Sequence, residues 1–270
     1  MNQKLLQELA ARWVSRTDGE AQRAVWNRAA ADYREISLPD PEKDAFLRRM
    51  GERVKLTDGI RTLDVGCGSG VYSLALAQMG AETMGVDIAG NMIDIARARA
   101  EEMGLAKTAF SCLDWSEADV DALGLRGNFD VAFAHMTPAI SDYATVDRLN
   151  ACSRNLCMLE KPTRRTDAVM DAAFASIGLP TADFDSGMPD LFTYLWAKGY
   201  EPEFFYHQEV WEPLRSIEDM TAWCVNRARL RRALTPAEEA EIARTVRDRA
   251  ENGMVREHTA TTRVTVIWRV

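Results

Sequence analysis

Hydrophobic residues recur at helical spacing through the first 58 positions of the chain. Leu5, Leu6, Leu9 and Trp13 form one stripe, and Val25, Trp26, Ala29 and Tyr33 a second, as one face of a helix requires. Ser37-Leu-Pro-Asp-Pro41 interrupts the pattern, and Asp44 to Val54 resumes it with Phe46, Leu47 and Met50. From residue 60 the period changes. Arg61–Val65, Glu82–Asp87, Thr108–Leu113, Phe129–Phe133 and Arg154–Glu160 are short runs of strand character. Val71–Met79 and Asn91–Met103 read as helices between them, the second stopped by Gly104. This alternation predicts βαβ units around a parallel sheet.

The last third differs. Asp190–Trp196 reads as a helix, and Phe204–Trp211 and Thr261–Trp268 as two further strands. The 49 residues between Trp211 and Thr261 carry two helical patterns, Ile217–Leu230 and Ala237–Ala250. Thr235-Pro236, with Glu238 three residues after the threonine, predicts a capped start for the second. The expected organisation is an N-terminal helical cap over residues 1–58 and an α/β domain over 59–270. A helical insertion, at about 214–254, falls between the last two strands. The aromatics Trp196, Tyr200, Phe204, Phe205, Tyr206 and Trp211 suit either an apolar pocket or ordinary core.

Composition narrows the function classes. Hydrophobic residues at 47% and charged residues at 27% are globular values. No apolar run approaches the about 18 residues of a membrane span, and the N-terminus lacks the apolar core of a secretory signal. Five cysteines, an odd number with no CxxC pair, suit a reducing cytoplasm better than a disulfide framework. A net charge of −8 disfavours nucleic acid as a partner. The basic stretch Arg227–Arg232 is followed by Glu238, Glu239 and Glu241, which reads as helices exchanging surface charges. No histidine, cysteine or carboxylate cluster has metal-ligand spacing. The oligomeric state has no signature in the sequence.

The informative segment is Leu63-Asp64-Val65-Gly66-Cys67-Gly68-Ser69-Gly70, where the first strand hands over to the first helix of the α/β region. Alternate glycines let backbone approach a ligand closely, and the end of strand one opens on the binding crevice of such a sheet. Asp87 ends the second strand 17 residues after Gly70, where a carboxylate accepts from ribose hydroxyls. A plain tight turn and a plain helix cap are the corresponding readings without a ligand. A dinucleotide fits poorly. Val71 stands where its fingerprint wants a third glycine, and Asp64 adds negative charge that a diphosphate would oppose. Asp64 would suit a ligand carrying an ammonium group.

Asp64-Val-Gly66-Cys-Gly68-Ser-Gly70 and Gly85-Val-Asp87-Ile88 with Asn91-Met92 resemble the first two motifs of class I S-adenosylmethionine-dependent methyltransferases. The resemblance continues at Cys112-Leu-Asp114-Trp115 and Phe129-Asp130-Val, and covers about residues 60–160. It implies a Rossmann-like, seven-stranded, mostly parallel sheet in the order 3-2-1-4-5-7-6 with helices on both faces. It also implies a cofactor site. Asp64, Gly66, Gly68 and Gly70 would receive the methionine part, with Cys67 in the loop as a small packing residue. Asp87 would hold the ribose, Ile88 and Met92 would flank the adenine, and Asp114 and Trp115 would meet its edge and face. Tyr33 would reach the cofactor carboxylate. Core packing is the competing role for Tyr33 and Trp115.

In this family the segment after strand four faces the transferring methyl. Here it is Ala134-His135-Met136-Thr137-Pro138, which makes His135 the candidate base or substrate contact. The Asn/Asp-Pro-Pro-aromatic tetrapeptide of amino-methylating nucleic-acid enzymes is absent there. So are the paired glutamates of arginine methyltransferases and the cysteine pair of C5-pyrimidine enzymes. The expectation is therefore methyl transfer to a small-molecule acceptor, with S-adenosylmethionine and no metal. An NAD(P)-dependent oxidoreductase and a catalytically inactive cofactor-binding module of the same fold are the alternatives.

Overall fold

The computed structural model describes residues 3–15, 18–57, 59–181 and 187–270. The chain opens with helices α1 (Gln3–Arg12) and α2 (Gly19–Ala29), the latter running into a 3-10 turn at Ala30–Tyr33, and then α3 (Ala45–Gly51). Aspartates start two of them: the Asp18 side chain accepts from the N–H groups of Glu20 and Ala21, and that of Asp44 from Leu47. There follow β1 (Arg61–Val65), α4 (Val71–Gln78), β2 (Glu82–Asp87), α5 (Gly90–Glu102), β3 (Thr108–Cys112), β4 (Phe129–His135), α6 (Tyr143–Cys152) and β5 (Ser153–Asp167). The remainder is α7 (Ala168–Ser176), α8 (Gly187–Lys198), β6 (Glu203–Trp211), β7 (Leu214–Ser216), α9 (Ile217–Arg229), α10 (Pro236–Arg247), β8 (Met254–Arg256) and β9 (Thr259–Arg269).

Seven strands form one sheet in the order β3-β2-β1-β4-β5-β9-β6. This is the expected order, with β9 as its seventh strand, because β7 and β8 pair only with each other in a separate antiparallel ribbon. The pairs β1–β2, β1–β4, β2–β3 and β4–β5 are parallel. Against β5, β9 runs the other way: Thr265 bonds Glu160, Thr163 bonds the Thr262 carbonyl, and the Val270 N–H reaches the Asn155 carbonyl.

Two expectations needed correction. The fifth strand extends seven residues beyond Glu160, to Asp167. Its added part, Lys161-Pro-Thr-Arg-Arg-Thr-Asp167, is polar and has no apolar alternation, so its strand character comes from pairing with β9. Helix α7 was not anticipated either, although Asp167 caps it and Val169, Met170, Ala173 and Phe174 make a buried stripe.

The chain divides into two compact units. The first takes Met1–Lys161, Gly187–Phe205 and Thr265–Val270, the second Pro162–Ser186 and Tyr206–Val264. In the first, Phe46, Leu47 and Met50 of α3 and Ala75 and Leu76 of α4 pack with Val131, Phe133, Leu156 and Met158 of the sheet. A second cluster joins Leu74 of α4 and Ile93, Ala96 and Ala100 of α5 to Phe110 of β3. The second unit has its own core, in which α7, α9 and α10 contribute Phe174, Met220, Cys224, Ile242 and Val246. Helix α10 begins as its sequence predicts, with the Thr235–Glu238 capping box formed and Pro236 in its first turn.

Candidate functional site

The loop between β1 and α4 is fixed by backbone bonds to β2. The N–H groups of Gly66 and Cys67 both donate to the Val86 carbonyl, at 2.7 and 3.0 Å. Gly66 has φ 73, and a Cβ built there would stand 2.0 Å from Thr137 Oγ1, so the loop is pressed against the segment that follows β4. That segment turns back through Met136, a non-glycine residue at φ 51. Gly68, at φ 53, has open space where its Cβ would be. Its N–H donates to Asp87 Oδ2 at 2.9 Å, while Asp87 Oδ1 accepts from the Ala89 N–H at 2.8 Å. A carboxylate offers about four acceptor positions, so both oxygens keep capacity for another donor.

Asp64 lies beneath the loop, 3% exposed, and accepts a 2.8 Å hydrogen bond from the Ser73 hydroxyl. Burial pushes its carboxyl up to about 7, against the pull of Ser73 and with help from the charge of Asp87. Asp87 is raised too, chiefly by burial, and among the described residues the groups acting on either carboxyl include no lysine or arginine. Cys67 packs against this layer, and burial keeps its thiol protonated well above the usual range. The residues fit a ligand that brings neighbouring hydroxyls and a positive charge, and they oppose a pyrophosphate.

A stability prediction follows from Asp64. A carboxyl raised on folding contributes fully below its unfolded value near 3.8, and that contribution is lost as pH rises through about 7. Asp64→Asn keeps an acceptor for Ser73 without the buried charge. At pH 8 it should therefore raise the thermal midpoint of the ligand-free protein by roughly 2–4 °C for each kcal/mol relieved. At pH 5 the gain should be much smaller. A midpoint at pH 8 that stays put or falls would contradict the burial of this charge.

Helix α2 lies across the ends of β2 and β3. A Cβ on Gly19 would come within 2.9 Å of Asp114 Oδ2 and 3.8 Å of the Ile88 side chain. Arg23 Nε reaches the Ile88 carbonyl at 3.4 Å, and Asn27 Oδ1 accepts from the N–H of Asn91 at the start of α5. Met92, 2% exposed, clusters with Ala30, Ala89 and Ile95, and Trp26 and Tyr33 pack on that cluster. Asp114 caps the 3-10 turn Trp115–Glu117 through Ser116. The structure thus gathers Ile88 and Asp114 beside Gly19, and Met92 and Tyr33 around Ala89, just after Asp87. Trp115, 3% exposed, instead donates its indole N–H to the Thr145 carbonyl of α6 at 3.1 Å.

His135 ends β4 and pairs in register with Glu160 of β5. Its Nε2 lies 3.0 Å from Glu160 Oε1, while Glu160 Oε2 accepts from the Thr265 hydroxyl. The two atoms are not aligned for a hydrogen bond, so the contact is an ion pair only where the imidazole is protonated. Tyr72 covers one face of the imidazole with ring centres 3.9 Å apart, and Phe46 meets it edge-on at 5.0 Å. The Tyr72 hydroxyl is held by Asp44. Next along β5, Lys161 donates to the Ile140 carbonyl, and burial pushes its ammonium down to about 8. Sequence reasoning missed Glu160, Lys161 and Thr137. The signal for Glu160 was present, since it follows the last apolar residue of β5 as His135 follows that of β4.

Among the described residues, no three or more histidine, cysteine, aspartate or glutamate side chains gather as metal ligands, and no helix is long and apolar enough to cross a membrane. Residues 56–168 match a family described as a methyltransferase domain. Ubiquinone biosynthesis O-methyltransferase from Ruegeria pomeroyi is 32% identical over 157 residues, 53% of this chain and 61% of that protein. Matches to the first such curated relatives span from 28% to 61% of their length. Two solved structures share the fold. The YcgJ protein from Bacillus subtilis has a TM-score of 0.54 at 13% identity, covering 82% of this chain and 96% of its own. A SAM-dependent methyltransferase from Geobacter sulfurreducens, in complex with S-adenosyl-L-homocysteine, scores 0.50 at 21% identity, with 89% and 96% covered. The segment that matches the methyltransferase domain, residues 56–168, contains the glycine loop and strands β1 to β5, and the strand order is that of the solved structures that share the fold.

Proposed function

We propose that the protein binds S-adenosylmethionine at the β1–α4 loop and methylates a hydroxyl group of a small molecule. The observation that carries this reading is Asp87. It is tied by one backbone N–H at each oxygen, keeps capacity for two more donors, and stands beside an open Gly68 with no lysine or arginine acting on it among the described residues. Asp87 would take the ribose hydroxyls, and Asp64 with Gly66, Gly68 and Gly70 the charged methionine part. Tyr33, Ile88, Met92 and Asp114 would enclose the adenine end under α2. The bound cofactor supplies a methyl group on a positively charged sulfur, open to in-line displacement by the acceptor. The chain's own work is alignment, exclusion of water and management of the acceptor's proton.

A hydroxyl acceptor agrees with the names of the curated relatives and with His135 at the end of β4, since an alcohol or phenol must lose a proton to be methylated. The helices of residues 1–58 would cap the cofactor side, and the five free cysteines fit a cytoplasmic setting. Calorimetry with S-adenosylmethionine and S-adenosylhomocysteine tests the cofactor, with NAD as control. Binding of the first two and silence from NAD is the expected result, and NAD binding alone would overturn the reading. Once an acceptor is found, His135→Ala should lower turnover about 100-fold or more with cofactor affinity held within about twofold. Equal losses in both would remove His135 from the acceptor side.

A further inference from the structure

Glu160 has no role in any reading of the sequence, yet it is a carboxylate only 2% exposed at the edge of the proposed methyl-transfer site. Parallel pairing of β4 and β5 sets it opposite His135, so both side chains leave the same face at the same strand ends. The antiparallel β9 supplies the third member, because the Thr265 hydroxyl donates to Glu160 Oε2 and leaves Oε1 3.0 Å from His135 Nε2. The Nε2 atom is buried 3.0 Å from Oε1 without the alignment of a hydrogen bond, and Nδ1 has no hydrogen-bond partner among the described residues. Tyr72 and Phe46 stop the ring from tipping out of this plane.

We propose that Glu160 is a positioning residue for His135, fixing the imidazole through Nε2 and leaving Nδ1 as the atom that takes the acceptor's proton. This rests on the reading of the site as one for methyl transfer to a hydroxyl. As the acceptor oxygen bonds the methyl carbon and the carbon–sulfur bond breaks, the hydroxyl proton passes to Nδ1 and the bond pair stays on sulfur. The ring becomes an imidazolium and the sulfur neutral, so one positive charge moves to the imidazole, where the Glu160 carboxylate balances it. The other ionisable groups around the ring are accounted for. Tyr72 is bonded to Asp44, and Lys161 turns its ammonium to the Ile140 carbonyl.

The test uses the cofactor-free protein with nitrogen-15 in its histidines. The chain has three, and His135→Asn assigns the signal of interest. Long-range proton–nitrogen correlation spectra from pH 5 to 9 read both the tautomer and the protonation midpoint of His135. In the unmutated protein, neutral His135 should carry its proton on Nε2. In Glu160→Gln its midpoint should fall by about one pH unit or more, because the imidazolium loses its nearby negative charge. His207 and His258 should not move, and affinity for S-adenosylhomocysteine should stay within twofold. A proton on Nδ1, or a midpoint unchanged in Glu160→Gln, would overturn the proposal. The tautomer decides it from the unmutated protein even where the variant fails to fold. Absence of S-adenosylhomocysteine binding by unmutated protein would strike the methyl-transfer reading instead, whatever the histidine spectra show.

Discussion

Asp87→Ala should weaken S-adenosylhomocysteine binding about 100-fold or more, near 2.7 kcal/mol. The effect has two sources that act together. The ligand loses its acceptors for two hydroxyls, each a hydrogen bond to a charged group worth about 1.5–3 kcal/mol. The loop loses the bond from the Gly68 N–H that holds its open face toward the ligand, and the Ala89 N–H loses its partner at the entrance to α5. Asp87→Asn separates them. Its one carbonyl oxygen can hold Gly68 or Ala89 but not both, so it should fall between the native protein and the alanine variant. Calorimetry of the three proteins with S-adenosylhomocysteine is sufficient. Affinity of Asp87→Ala within threefold of native would end the assignment of this residue to the ribose.

Gly66→Ala should be the most damaging small substitution in the molecule. Its Cβ would stand 2.0 Å from Thr137 Oγ1 and 2.7 Å from Thr137 Cβ, closer than any real contact, and the positive φ adds a penalty of its own. Overpacking typically costs about 1–3 kcal/mol and a left-handed conformation about 1–2 kcal/mol more. A fall of about 2–5 kcal/mol in unfolding free energy is expected, measured by denaturant titration. Thr137→Gly in the same protein removes all three clashing atoms and should restore the part due to overpacking while leaving the backbone part. If the double variant is no more stable than Gly66→Ala alone, the loop is not pressed on Thr137 in the way described.

The sheet was legible because its first four strands are dense in apolar and β-branched residues and lie between regular helices. The glycine loop and Asp87 were legible because their chemistry is local, within 24 residues from Asp64 to Asp87. What stayed hidden depends on pairing across distance. Lys161 to Asp167 shows no strand pattern until β9 lies beside it, and Glu160 meets Thr265 across 105 positions of sequence. The three-residue strands β7 and β8 are too short to carry a periodic signal. Trp115 shows the converse. Its place after β3 was correctly found, yet which way an indole points depends on whether α6 offers it a carbonyl, and Thr145 does.

The N-terminal helix α2 touches the site at three levels, through Gly19 on Asp114 and Ile88, Arg23 on the Ile88 carbonyl and Asn27 on Asn91. A ligand bound at the ends of β2 and β3, as proposed above, would exchange at a rate set by how often these contacts open. Such an arrangement separates tightness from speed. Substitutions at Arg23 or Asn27 would hasten both arrival and departure of the ligand, altering the equilibrium constant far less than either rate. Ligand exchange would then be paced by a helix that lies outside the segment matching the methyltransferase domain.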